Sequence, residues 1–348
     1  MAQHSPLCIR RILAQFAAAL CVCISATSHS DETKPAPLVR THRAMATEWS
    51  ITAYPREGQS VETLGALLDE VFEGVDQLES VISEWKPDSR TSYVNNHAAE
   101  GPVRVPAELM DLLVVSKELY ERTGGTFDVT VGPLSKLYGF YEGRGHVPTK
   151  EELSEAIARV GMNKVTLDRV AGTVRFETPD MRLDFGGVGK GFAIDRAVAQ
   201  LQARGITRAL LNAGTSSVYA MGTPPGEPGW KVHVRHPYNQ GESMATLILA
   251  DESLSTSGCY GNLPEVDGVR ICNIFDPRTG EARHGIMSAS AVAPTATETE
   301  ALGKAFLILG ADAAREYCEQ NAGRRAFLVP EAPGPDIKPI WIGPEKGP

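Results

Sequence analysis

Asp184-Phe-Gly-Gly-Val-Gly-Lys-Gly-Phe-Ala-Ile-Asp195 places four glycines in the six positions 186–191. This glycine block (residues 184–195) follows an apolar run that we interpret as a strand and leads into a segment that we interpret as an amphipathic helix. Glycines at such a turn let backbone N–H groups approach a ligand, and the N-terminus of the following helix favours phosphate. The spacing matches neither a Walker loop nor a dinucleotide fingerprint. Two interpretations stay open, a phosphate-binding turn and a tight turn that needs no ligand.

Short β-prone runs lie on both sides of the glycine block and alternate with glycine-rich turns between residues 164 and 300. The runs are KVTLD, TVRFE, ALLNAG, WKVHVRH, ATLILA, RICNIF and MSASAVA. Most of them are too short and too closely spaced to need helical crossovers, so the sheets are expected to be largely antiparallel.

Four segments have the apolar spacing of helices. One covers residues 60–83 behind a serine that can cap its first turn, and another covers 106–123 between a proline and two glycines. A third follows the glycine block, and a fourth covers about 298–309 and ends at a glycine. Strands and helices together predict an α+β fold, with largely antiparallel sheets packed against helices in one compact domain.

The N-terminal residues have the pattern of a secretory signal peptide. Arg10 and Arg11 precede an apolar run of about 13 residues from Ile12 to Ile24, and small residues follow. The run is shorter than the roughly 20 residues that span a bilayer. We therefore expect residues 1–28 to be a signal peptide and the protein to be exported, either to the periplasm or to the outer side of the cytoplasmic membrane.

An N-terminal lipid anchor is not favoured, because Cys21 and Cys23 follow large apolar residues rather than a small one. The polar, proline-bearing residues 29–38 are interpreted as a linker, and residues 39–340 as the folded domain. Membrane association through an acceptor protein or a lipid anchor is left open.

Composition narrows the classes of partner and scaffold. The chain has 348 residues and a formal net charge of −9, which argues against nucleic acid as a partner. Beyond residue 28 the cysteines are Cys259, Cys272 and Cys318, an odd number without metal-ligand spacing. At most one disulfide can form among them, so a cysteine-stapled scaffold is excluded.

Seven sequence blocks occur in the order in which one protein family carries them. The blocks are MATEWSI (45–51), SEWKPDSRTSYVN (83–95), TGGTFDVTVGPL (123–134), the glycine block, LLNAG (210–214), STSG (255–258) and FDPRTG (275–280). On these residues the chain resembles the ApbE family of FAD:protein FMN transferases, from about residue 40 to residue 330.

The resemblance implies a single T-fold-like domain that binds FAD in a cleft. With Mg²⁺ it would transfer FMN to a threonine of an exported acceptor protein and release AMP. The positions that match family cofactor contacts are Met45, Trp85, Thr126, Phe127, Asp128, Asp184, Lys190 and Ile274. For three of these residues a structural role without a ligand stays open: Trp85 and Phe127 as core aromatics, and Asp128 as a residue that closes a turn.

The metal position departs from the family pattern. The family ligands, a backbone carbonyl in the glycine block and an Asp and a Thr one helical turn apart, correspond here to Gly187, Glu300 and Lys304. A glutamate can still bind a hard cation, but a lysine has no lone pair to offer and repels Mg²⁺. Lys304 is interpreted either as a fixed counter-charge for the pyrophosphate or as half of an exposed Glu–Lys pair.

The proposed catalytic positions also depart from the family. Asn273 stands where the family has a histidine that acts as general base, and Asp276 follows in the same segment. An asparagine cannot take up a proton near neutral pH. His284 is a substitute base or a solvated loop residue. The sequence thus favours an FMN transferase, and the alternative is a FAD-binding protein with lost or altered transferase activity.

Overall fold

The computed structural model describes residues 36–344 except 142, 144, 240, 261–264, 267–268, 282–284 and 332–336. The described residues belong to one compact unit, residues 35–348. The predicted signal peptide and most of the predicted linker lie outside the described residues, as does His284. None of the described helices is long and apolar enough to cross a membrane.

The helices have the following bounds. They are α1 (Val61–Ile82), α2 (Arg90–His97), α3 (Ala107–Arg122), α4 (Gly132–Leu137), α5 (Lys150–Ile157), α6 (Gly189–Ala203), α7 (Ala296–Leu309) and α8 (Ala311–Gln320). The predicted helices at residues 60–83, at 106–123, after the glycine block and near 298–309 are confirmed as α1, α3, α6 and α7.

The strands have the following bounds. They are β1 (Leu38–Ala44), β2 (Thr47–Ala53), β3 (Val103–Arg104), β4 (Val165–Asp168), β5 (Thr173–Phe176), β6 (Ala209–Ala213), β7 (Ser217–Met221), β8 (Trp230–Arg235), β9 (Ser243–Leu249), β10 (Glu252–Gly258), β11 (Glu265–Val266), β12 (Val269–Arg270), β13 (Ile286–Ala293), β14 (Arg325–Pro330) and β15 (Ile340–Ile342).

Eight of these strands form one antiparallel sheet in the order β1-β2-β6-β7-β10-β13-β14-β15. On one face, α7 packs on β10 and β13, and α6 lies between α7 and α1. The hairpin β8–β9 packs against the other face through an apolar cluster that includes Val232, Val292 and Phe327. The small sheet β3-β5-β4 is also antiparallel. The predicted α+β fold with largely antiparallel sheets is therefore confirmed.

In the helix α1, the apolar residues at helical spacing are the ones that are buried in the core. Its cap is Ser60, whose Oγ accepts a hydrogen bond from the Thr63 N–H at 3.2 Å. Leu64 and Leu68, one turn apart, are fully buried in the cluster that contains Ile51 of the sheet. Burying one such side chain contributes about 2 kcal/mol to folding, so this stripe holds the helix against the sheet.

Two predicted strands differ in the structure. No strand precedes the glycine block within residues 177–188, where Arg182 makes an isolated bridge to Val131. The Gly132 N–H donates to the Arg182 carbonyl at 3.2 Å, and the pairing does not continue beyond it because the helix α4 begins at Gly132.

The second difference is the predicted run RICNIF, which is a strand only up to Arg270. Beyond it, Cys272 is bonded to Cys259, and the Asp276 N–H donates to the Glu281 carbonyl in a turn. The Asp276 N–H is thus committed to a turn, and Phe275 is a single bridge residue rather than part of a longer ladder.

Candidate active site

One open cleft of about 400 Å³ is lined by parts of six separated chain segments. These segments lie within residues 84–85, 126–141, 184–187, 256–258, 273–277 and 304–308. A second cavity, of about 670 Å³, lies along α1 and α6 and is lined by none of the predicted site residues. The cleft is therefore the place where the sequence motifs meet.

Aromatic side chains form one part of the cleft wall. The Trp85 side chain is 60% exposed, and its ring centroid lies 4.9 Å from that of Tyr141. Phe275 also lines the cleft and stacks on Tyr138 behind it. Large rings on an open wall suit the binding of a planar ring system. The interpretation of Trp85 as a core aromatic is therefore wrong, because its side chain is exposed. Phe127 is buried in the core and also lines the cleft.

A pair of carboxyl groups lies at the start of the glycine block. Asp184 accepts hydrogen bonds from Ser135 Oγ at 2.8 Å, from the Tyr141 hydroxyl at 3.3 Å and from the Gly186 N–H at 2.9 Å. Glu84 shares a hydrogen bond with Asp184, and burial together with this neighbouring charge raises the pKa of Glu84 to about 8. The Glu84 carboxyl group is therefore mostly protonated at neutral pH.

The N-terminus of α6 is closed by a carboxylate of this chain. Glu300, which is 2% exposed, accepts from the Gly191 N–H at 3.0 Å and from Ser217 Oγ at 2.6 Å. The Lys190 Nζ lies 3.6 Å from the same carboxylate. Neither Lys190 nor Glu300 lines the cleft. The anion-binding end of this helix is thus used by Glu300.

Lys304 reaches the cleft from α7, one turn after Glu300. Its Nζ donates to the Glu300 backbone carbonyl at 3.1 Å, and its aliphatic stem lies beside Gly187. Burial lowers the pKa of Lys304 to about 8, against the attraction of Glu300 and Asp184. The predicted exposed Glu–Lys pair is wrong, because Glu300 is buried and its carboxylate points away to Gly191 and Ser217.

The predicted catalytic segment contributes to the cleft only in part. Asn273 is exposed and lines the cleft together with Ile274. Asp276 is buried and lies outside the lining, where it accepts from the Arg278 guanidinium at 2.8 and 2.9 Å. The geometry makes Asp276 a turn-stabilising residue and does not bring it to the cleft as a catalytic group.

The remaining predicted contacts divide in the same way. Thr126 and Asp128 line the cleft, and Asp128 also closes a turn by accepting from the N–H and hydroxyl of Thr130. Met45 lies in the β1–β2 turn with a φ of 49°, packs against the main core and does not line the cleft. The structure therefore does not bring Met45 to the other predicted contacts.

Sequence reasoning missed Glu84, Ser135 and Tyr141. Glu84 adjoins Trp85 in a block that was singled out, so an acid beside an aromatic contact was an available signal. Ser135 and Tyr141 follow the TGGTFDVTVGPL block. Ser135 lies in α4, whose six residues are too few for apolar periodicity to reveal, and Tyr141 lies beyond the end of that helix.

Comparisons with known proteins agree with one another. The family model described as the ApbE family matches residues 45–328. The chain is 28% identical over 340 residues to the FAD:protein FMN transferase of Klebsiella pneumoniae (strain 342), covering 94% of this chain and 95% of that protein. It is 32% identical over 296 residues to the FAD:protein FMN transferase of Treponema pallidum (strain Nichols), covering 81% and 78%.

Solved structures give the same result for the fold. The apo form of the Pseudomonas stutzeri flavinyl transferase ApbE is 25% identical, covers 90% of this chain and 96% of its own, and superposes with a TM-score of 0.79. The ApbE protein of Thermotoga maritima is 27% identical, covers 87% and 96%, and superposes with a TM-score of 0.77.

Proposed function

The chain belongs to the ApbE family, and from that membership we propose that it is an FAD:protein FMN transferase with FAD as the donor. The threonine oxygen of an acceptor bonds to the phosphorus of the FMN half. The bond from that phosphorus to the bridging oxygen breaks, and AMP leaves with that oxygen. This is a phosphoryl transfer, in which a protein acts mainly by positioning and by its electric field.

The single observation that carries this function is the convergence of the separated family blocks on one cleft. Trp85, Phe127, Asp184 and Phe275 come from four of these blocks and share the lining. The aromatic wall suits the flavin ring, and the ammonium group of Lys304 suits the phosphates.

The acceptor proton requires a base other than Asn273, because an amide does not take up a proton near neutral pH. Glu84 lies in the cleft wall, and its pKa, raised to about 8, is close enough to neutral pH for its ionised form to accept a proton. We assign the acceptor proton to the Glu84 carboxylate, and Asn273 to a hydrogen bond with the acceptor hydroxyl.

The residues at the family metal position do not fit a divalent cation. Both carboxylate oxygens of Glu300 already accept hydrogen bonds from this chain, and the Lys304 side chain fills the space beside Gly187. Among the described residues, no three His, Cys, Asp or Glu side chains form a metal-binding group. We therefore route no step of the reaction through Mg²⁺ at this position.

The acceptor and the compartment are proposals as well. We propose that the acceptor is an exported flavoprotein that bears the threonine, and that this chain acts in the periplasm or on the outer side of the cytoplasmic membrane. The disulfide between Cys259 and Cys272 supports this placement, because such bonds persist in oxidising compartments.

The alternative of a FAD-binding protein without transfer activity is not supported by the comparisons, which name transferases. The test uses the full chain, FAD and an exported threonine-bearing flavoprotein domain, with parallel samples in Mg²⁺ and in EDTA. We expect the acceptor to gain the mass of one FMN unit with stoichiometric AMP, and the acceptor with threonine replaced by valine to gain nothing. If no acceptor gains FMN in either sample, the proposed function is refuted.

A further inference from the structure

We propose that the Lys304 ammonium is the resident cation of the cleft and contacts the FAD pyrophosphate, so that FAD binding and FMN transfer need no added divalent cation. The proposal for the transfer step rests on the proposed function, whereas the proposal for FAD binding does not. Four features of the structure carry it.

The first feature is the space that Lys304 occupies. A Cβ at position 187 would lie 2.9 Å from the Lys304 Cε and 3.3 Å from its Cδ. Because Gly187 has no side chain, the aliphatic stem of Lys304 can lie beside it and reach the cleft. A lysine and a hydrated divalent cation cannot share that space.

The second feature is the direction of the Glu300 carboxylate. It lies one turn before Lys304, but its two oxygens accept from the Gly191 N–H and the Ser217 hydroxyl. It therefore stabilises the junction of α6 and α7 rather than presenting a ligand oxygen to the cleft. Breaking those bonds to bind a metal would leave buried donors without acceptors.

The third feature is the loss of the helix N-terminus as a phosphate site. Backbone N–H groups at the start of a helix normally attract anions, but the Gly191 N–H is bound by Glu300. The positive end of α6 is thus largely neutralised by a carboxylate from its own chain. A dianionic pyrophosphate in the cleft needs positive charge from another source.

The fourth feature is the charge of the lining. Among the described residues that line the cleft, Lys304 is the one cationic side chain, beside Glu84, Asp128 and Asp184. Its Nζ donates one of its three N–H groups to the Glu300 carbonyl. The other two are available for phosphate oxygens, as in other sites where a lysine acts as a point charge for phosphate.

The experiment measures FAD affinity of the full chain by quenching of flavin fluorescence, after removal of metals, in EDTA and in millimolar Mg²⁺. We expect the two Kd values to agree within about twofold. A Kd that rises tenfold or more in EDTA overturns the proposal, and this measurement needs no variant.

A charge-removal variant adds a second arm. Lys304→Met keeps the length of the stem and should weaken FAD binding roughly 10- to 100-fold, the range expected for loss of a hydrogen bond to a charged group. Its binding of riboflavin, which has no phosphate, should be unchanged. Lys231→Met, on the exposed side of β8, is the matched control and should bind FAD normally. Equal loss of FAD and riboflavin binding by Lys304→Met contradicts contact with the phosphates.

Transfer in EDTA separates this proposal from the proposed function. FMN transfer at the same rate in EDTA and Mg²⁺ supports both. Transfer that requires Mg²⁺ overturns the role of Lys304 and leaves the transferase function standing. FAD binding that is insensitive to EDTA, without transfer in either sample, refutes the function and supports Lys304 as the cation.

Discussion

Replacing Gly191 by alanine should destabilise the protein, although alanine favours a helix interior by about 1 kcal/mol over glycine. The added Cβ would lie 2.3 Å from the Ala296 carbonyl oxygen and 2.6 Å from its carbonyl carbon. These are backbone atoms of α7, so the contact is relieved only if α6 and α7 move apart by about 1 Å. Overpacking of this kind costs about 1–3 kcal/mol.

The movement would also lengthen the hydrogen bond from the Gly191 N–H to Glu300, a charge-assisted bond of about 1.5–3 kcal/mol. After the gain in helix propensity, the expected net loss is about 2–4 kcal/mol of unfolding free energy, measured from urea denaturation curves. The matched control is Gly74→Ala in α1, whose added Cβ would meet only the end of the Gln200 side chain at 3.4 Å. That variant should be neutral or stabilised by up to about 1 kcal/mol. A Gly191→Ala protein as stable as the unaltered chain would refute the close approach of the two helices.

Three further predictions concern the cleft. Trp85→Ala should weaken FAD binding by roughly fivefold, about 1 kcal/mol of ring stacking, and barely change the melting temperature because the ring is 60% exposed; an unchanged Kd contradicts this. The pKa of Glu84 rises from 4.5 to about 8 on folding, so the free energy of unfolding should fall as the pH rises across that window. In the Glu84→Gln variant the melting temperature should fall less steeply with pH, and an equally steep fall argues against the buried pair with Asp184. The Cys259→Ser/Cys272→Ser variant should lose about 3 kcal/mol of stability and bind FAD several-fold more weakly; normal FAD affinity would show that the disulfide does not support the cleft wall.

The sequence predicted elements whose pattern is local. The helix α1 has a capping serine and an apolar stripe, and the alternation in β13 places Ala289 and Ala291 toward the helices and Val292 toward the β8–β9 hairpin. These patterns depend on residues two to four positions apart, and the structure confirms them. Strand order is not readable in this way, because the neighbours β2 and β6 are separated by more than 150 residues.

Residues of the candidate site were predictable from the sequence where they lie in the family blocks. Trp85, Phe127 and Asp184 lie in such blocks, and all three line the cleft. The position of the Lys304 side chain in the cleft was not predictable. The i, i+4 spacing places Lys304 on the same side of α7 as Glu300, but it does not show which element packs against that side. Only the close packing of α6 against α7 turns Glu300 inward and leaves the lysine at the cleft.

The glycine block can now be divided between the two interpretations that the sequence left open. Gly186 and Gly187 line the cleft, so the first half of the block leaves room for a ligand and for the Lys304 stem. Gly191 instead lies against the backbone of α7, so the second half is a packing device. The two roles are linked by Glu300, which closes the N-terminus of α6 as the helices pack. The packing of α6 against α7 therefore has two effects: Glu300 occupies the N-terminus of α6, and Lys304 reaches the cleft. A pyrophosphate in the cleft would face the positive charge of the Lys304 side chain instead of the N-terminus of α6.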